Sequence, residues 1–131
     1  MEDRFAMSEE ELEAAGEALE EEVDALLEYL NECGKETTFM LDPYRAKQME
    51  LSYNMLLNSI AGIDKEVSVS YFISEANRTV GVLRLEGKNI DAIDIERFSK
   101  ACEFADATDI YPLTKGVVRI EFTFRRIYIA Q

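Results

Sequence analysis

The spacing of apolar residues changes near residue 62, and that change commits the chain to a mixed architecture. Before it, Leu12, Gly16, Leu19, Val23, Leu26, Leu30 and Cys33 recur at alternating intervals of four and three, as do Ala46, Met49, Tyr53, Leu56 and Ile60. Such intervals place an apolar seam along one side of an α-helix. After it, Val67, Val69, Tyr71 and Ile73 alternate with Ser68, Ser70 and Phe72. That is the period of a strand with one buried face.

The ends of these segments carry matching signals. Ser8 and Glu11 stand where a capping box needs them, Met7 can staple to Leu12, and Gly34 is a stop signal for the first helix. Asp42 and Pro43 open the second helix and Gly62 follows it. The short connection over 34–41 predicts an antiparallel helical hairpin, with Phe39, Met40 and Leu41 tucked under the body. Downstream, 66–74 and 79–86 read as a strand hairpin turning at 75–78, and Asp94 opens a third helix whose face holds Ile95, Phe98, Cys102 and Ala105. The stretch 106–116, which contains Pro112, reads as a loop, and 117–130 reads as one long strand. The expected order is ααββαβ: an α+β fold in which an N-terminal helical hairpin precedes a small, mainly antiparallel three-stranded sheet with one packed helix. With 131 residues the chain suits a single domain: an arm over 1–7, an acidic helical hairpin over 8–62 and a ββαβ portion over 63–131.

Charge is distributed unevenly. Of the net −13, residues 1–36 hold fourteen acidic and two basic side chains, a net of −12. Residues 37–131 hold thirteen acidic and twelve basic, a net of −1. Nucleic acid is a poor direct partner for such a surface, because phosphate contacts need Lys and Arg, so no direct nucleic-acid binding is expected, and an anionic membrane is disfavoured for the same reason. The acidic start, from Glu2 onward, does not read as a signal or transit peptide. Cys33 and Cys102 are far apart, with no C-x-x-C spacing. A cytoplasmic protein with two reduced thiols is the expectation.

Few motifs point to catalysis. The chain has no His, which removes the commonest general base and zinc ligand, and it lacks nucleotide-binding and nucleophile-elbow signatures. We therefore expect no enzyme activity and no cofactor. Asp91, Asp94, Glu96, Asp106 and Asp109 group around the third helix, but carboxylates there serve helix capping more simply than metal binding. Tyr44, Tyr53, Tyr71, Phe72, Phe104, Tyr111 and Tyr128 read as core in preference to a ligand pocket. Arg119, Arg125 and Arg126 on the last strand are candidates for a small-anion site, with pairing to the protein's own carboxylates the simpler use.

The strongest functional signal is in the first helix. Glu9–Glu13, Glu13–Glu17, Glu17–Glu21, Glu20–Asp24, Asp24–Glu28 and Glu28–Glu32 are all like-charge pairs four residues apart. Together they cost roughly 1–2 kcal/mol in an isolated helix. Solubility alone is one use for such a face. The other is recognition: Glu10, Glu13, Glu17, Glu20, Glu21, Asp24 and Glu28 form a stripe advancing about 5.4 Å per turn, on the scale of the phosphate repeat in a nucleic-acid strand. A basic protein surface, above all that of a nucleic-acid-binding protein, is the expected partner. Small acidic inhibitors of host nucleases or defence systems, made by phages and mobile elements, share this physical type. The alternatives are a homo-oligomeric assembly module and a small-anion or metabolite sponge or sensor.

Overall fold

The computed structural model describes residues 9–36, 39–60, 67–88 and 95–130, with side chains described from residue 20 onward except at 95 and 130. The arm over 1–7, the Ser8 capping box with its Met7–Leu12 staple, the Gly62 stop and the Asp94 cap lie outside these.

Both long helices form where the 3.6-residue period places them. Helix α1 spans Glu9–Lys35 and α2 spans Pro43–Ser59. Asp42 caps α2, its carboxylate accepting from the Tyr44 amide at 3.0 Å and from the Arg45 amide. Gly34 does not end α1. It lies inside the last turn against Tyr128, where an added Cβ would come within 3.2 Å of the ring. The helices run in opposite directions. The C-terminal end of α1 and the N-terminal end of α2 both meet the last strand segment, while Glu20, Val23 and Asp24 face Lys47, Glu50, Leu51 and Asn54.

The remainder is richer in strands than the sequence suggests. A four-stranded antiparallel sheet has the order β2-β3-β5-β4, from β2 (Val67–Ile73), β3 (Gly81–Gly87), β4 (Ala107–Pro112) and β5 (Val118–Phe124). Helix α3 spans Ile95–Phe104, between β3 and β4. A separate two-stranded antiparallel sheet joins β1 (Phe39–Leu41) to β6 (Tyr128–Ala130). The fold is α+β, with three helices among the described residues.

Three expectations are corrected. The 106–116 loop contains β4, because Pro112 occupies a position whose missing amide hydrogen would point away from β5 and so costs the sheet nothing. The 117–130 strand is two strands. Alternation holds through Phe124, but Ile127 and Tyr128 are buried in succession, and Arg126 takes a left-handed φ of 58°. That turn carries the chain out of one sheet and into the other. The helix-to-helix connection is not a plain linker either: its Phe-Met-Leu stretch gains its hydrogen bonds from β6, with Phe39 and Leu41 half-buried and Met40 outward. The sheet is thus four-stranded, and the order is α-β-α-β-β-α-β-β-β.

One continuous core joins the layers. Leu83, Leu85, Ile120, Phe122 and Phe124 form the inner face of the sheet. Against it lie Leu26 and Leu30 of α1, Ala46, Met49, Tyr53 and Leu56 of α2, and Ala101 of α3. Phe98 stacks edge-on to Phe122, with centroids 5.7 Å apart. Ser52, on the buried side of α2, donates to the Ala101 carbonyl at 3.0 Å and ties α2 to α3. The outer face carries ion pairs beside Phe72 and Val82: Arg84 pairs with Glu121 at 2.7 Å and Arg119 with Glu86 at 2.7 Å, each across the β3–β5 seam. No helix among the described residues is long and apolar enough to cross a membrane.

Phe122 lies at the centre of this core with no solvent exposure. Phe122→Ala is expected to cost about 3–5 kcal/mol in urea unfolding, while Tyr44→Ala, at a side chain 70% exposed, should stay within about 0.5 kcal/mol of the parent.

Candidate partner-binding surface

The C-terminal half of α1 is held by both polar and apolar contacts. Leu26 and Leu30 are fully buried. The Tyr29 hydroxyl accepts from the Ile73 amide at 2.9 Å, and the Tyr29 ring lies 5.2 Å from Tyr71. The Tyr128 hydroxyl donates to the Leu30 carbonyl at 2.5 Å. With this side fixed, the helical period turns Glu20, Glu21, Asp24 and Glu28 to solvent, and all four are exposed. Among the described residues none of the four is in a salt bridge. Lys35 pairs with Glu32 at 3.0 Å, and Lys47, the nearest cation on α2, pairs with Glu50 at 3.4 Å. The structure therefore places Glu20, Glu21, Asp24 and Glu28 on one outward stripe. The side chains of Glu10, Glu13 and Glu17 lie outside the described residues; their backbone continues the same helix.

The three candidate arginines are not brought together. Arg119 is paired with Glu86 on the outer face of the sheet. Arg125 and Arg126 lie in the turn after β5, where the Arg125 amide donates to Asp106 at 2.7 Å. The same Asp106 carboxylate binds Arg45 of α2, whose Nε donates to the Arg125 carbonyl at 3.0 Å. Asp106 is thereby the pin of a structural corner. No group of three or more His, Cys, Asp or Glu among the described residues is arranged to hold a metal ion. Asp91 and Asp94 lie outside them. Cys33 and Cys102 are free thiols, and burial pushes that of Cys102 up.

A cleft of about 550 Å³ opens beside β2, lined by Tyr29, Cys33, Ser74, Arg78, Arg84 and Tyr128 among others. Three of its polar groups are already engaged: Tyr29 with Ile73, Tyr128 with Leu30, and Arg84 with Glu121 while lying 4.7 Å over the Phe72 ring; Glu75 and Arg78 at its rim are exposed. Of the seven aromatics singled out from the sequence, Tyr53 and Tyr128 are buried in the core, and Tyr44 and Tyr111 are exposed. Sequence reasoning missed the anchoring roles of Tyr29 and Arg45, because both depend on tertiary neighbours far along the chain.

Comparison with protein families, curated proteins and solved structures finds no match.

Burial raises the Tyr53 hydroxyl from 10.0 to about 12, and the negative charge of Glu22 and the nearby Tyr71 add to the effect. Burial also raises Tyr29 and Tyr128. A proton held more tightly in the folded state stabilises it fully below the unfolded value, and that stability is lost as pH rises through the folded value. Melting temperature should therefore be flat from neutral pH toward 9, where the unfolded Cys102 thiol begins to titrate, and fall most steeply between pH 10 and about 12. Tyr53→Phe should shallow that alkaline limb, as read by circular dichroism melts across the range.

Proposed function

We propose that this protein is a small acidic inhibitor or regulator that engages a basic protein surface through the exposed face of α1. The surface is that of a nucleic-acid-binding protein, with a phage or mobile-element inhibitor of a host nuclease or defence system as the type. The observation that carries this reading is the stripe Glu20, Glu21, Asp24 and Glu28, exposed and outside every described salt bridge on a helix whose other side buries Leu26 and Leu30. A helix anchored in this way presents its charges at fixed spacing, so little ordering entropy is lost on binding. The summed field also speeds encounter with a cationic partner. A chain that needed only solubility would gain it from mixed charges, without the like-charge spacing at i,i+4. The reading assigns the protein a binding role rather than a catalytic one, in the cytoplasm, with no direct contact to nucleic acid or membrane.

The test is the combined variant Glu20→Gln, Glu21→Gln, Asp24→Asn and Glu28→Gln. The parent should capture nucleic-acid-binding proteins from bacterial lysate, release them as salt rises, and be displaced from them by duplex DNA. The variant should lose that capture. Its melting temperature should hold or rise, because each like-charge pair removed relieves about 0.2–0.5 kcal/mol. Retention of the same partner at the same salt by a folded variant ends the proposal.

A further inference from the structure

We infer that the outer edge of β4 docks against β4 of a second copy of this chain, in antiparallel register centred on Ile110. Helix α1 and its acidic stripe are not part of this contact, so the inference stands apart from the function proposed above.

The first observation is exposure. β4 is a six-residue strand of which only Ala107 is even half-buried, and it ends a sheet whose two inner strands, β3 and β5, bury their apolar residues. Three large apolar side chains gather there: Ile110, 64% exposed, Tyr111 and Leu113. Unpaired strand edges carrying apolar side chains are templates for another strand.

The second observation is the phase of the hydrogen bonds. The Leu113 amide donates to the Val117 carbonyl at 2.8 Å, so Leu113, Tyr111, Asp109 and Ala107 exchange their backbone bonds with β5. Thr108, Ile110 and Pro112 must then turn their backbone groups to the outer edge, which no strand among the described residues pairs. That edge offers amide donors at Thr108 and Ile110, and carbonyl acceptors at all three positions. A two-fold axis at Ile110 sets Thr108 opposite Pro112 of the second copy and Ile110 opposite Ile110. Each Thr108 amide meets a Pro112 carbonyl, and the two Ile110 residues exchange both of their bonds. Both edge donors of each copy are satisfied, and the proline faces a position where only its carbonyl is needed. A register centred on Asp109 also pairs both donors, but it sets two Asp109 carboxylates face to face, which is destabilising. A register centred on Tyr111 asks Pro112 for the amide hydrogen it lacks. Ile110 is therefore the centre that both hydrogen bonding and charge select, and it leaves Asp109 beside Tyr111 of the second copy.

The third observation is where the charge lies. α1 meets the opposite edge of the sheet at the end of β2, where the Tyr29 hydroxyl accepts from the Ile73 amide. Three strand spacings, about 14 Å, separate the β2 and β4 edges. Pairing through β4 would build one continuous eight-stranded sheet with the acidic helices at its far ends. Almost all of the net charge thus stays away from the seam, and residues 37–131, which form it, are nearly neutral.

Sedimentation velocity on the full chain, up to about 200 μM, reads the result, since a small edge interface gives a reversible dimer. The parent should sediment with the mass of two chains. Ile110→Lys should raise the dimer dissociation constant at least about tenfold, by placing like charges on the axis. Ile129→Lys, at an exposed residue on β6, should leave it unchanged. Mild oxidation of Ile110→Cys should join position 110 of two chains by a disulfide, located by peptide mass spectrometry, because facing residues of this pair lie about 5.5 Å apart. This last measurement stands even if the lysine variant fails to fold. A parent that stays monomeric at the highest concentration, a dimer that survives Ile110→Lys, a dimer lost with Ile129→Lys, or no link at position 110 would each overturn the inference.

Discussion

A small sheet with one apolar face has to be covered, and in this protein that need determines the position of everything else. Phe122, Phe124, Leu83 and Leu85 have no solvent exposure because α1, α2 and α3 all lie on the same side of the sheet. The other side is left to cross-strand ion pairs, Arg84 with Glu121 and Arg119 with Glu86, which tolerate water. Once Leu26 and Leu30 are committed to the covering layer, the remaining surface of α1 is fixed by helical geometry. The acidic stripe is therefore a consequence of core packing. The fold does not choose its charges, but it chooses where they point.

Two polar devices hold the covering layer in place. At one end, Tyr29 and Tyr128 place their hydroxyls on backbone groups of β2 and α1, so that the aromatic rings fill space while their oxygens tie the helix to the Ile73 amide and to the last strand. At the other, Arg45 and Asp106 clamp the turn that carries the chain from the large sheet into the small one. The positive φ of Arg126 is needed for that turn, and the clamp fixes the residue beside it.

What could be read from the sequence was whatever is encoded locally. The α2 seam, the α1 seam from Val23 to Cys33, the Asp42 cap and the alternation of β2 and β5 are properties of local sequence, and all appear among the described residues. What could not be read depends on distant partners. β1 is three residues that become a strand only beside β6, and β4 carries a proline that signals a loop unless one knows which side of the strand is free. Ser52 is a polar residue in the middle of a buried helix face, and only the Ala101 carbonyl explains it. Of the candidate site, the exposure of Glu20, Glu21, Asp24 and Glu28 followed from the seam itself. The dispersal of Arg119, Arg125 and Arg126 did not, because it follows from the break after Phe124.

The hydrogen bond from the Ile73 amide to Tyr29 gives α1 two jobs that are separable by residue. Its inner positions fill the core and satisfy the Ile73 amide at the end of β2, and any lineage that lost them would leave both open. Its outer positions Glu20, Glu21, Asp24 and Glu28 make no described salt bridge or side-chain hydrogen bond, although Glu20 and Asp24 border the groove to α2. Drift can therefore rewrite the stripe, trading one pattern of carboxylates for another, without disturbing a single core contact. A surface with that freedom can follow a changing partner over evolutionary time while the scaffold beneath it stays the same.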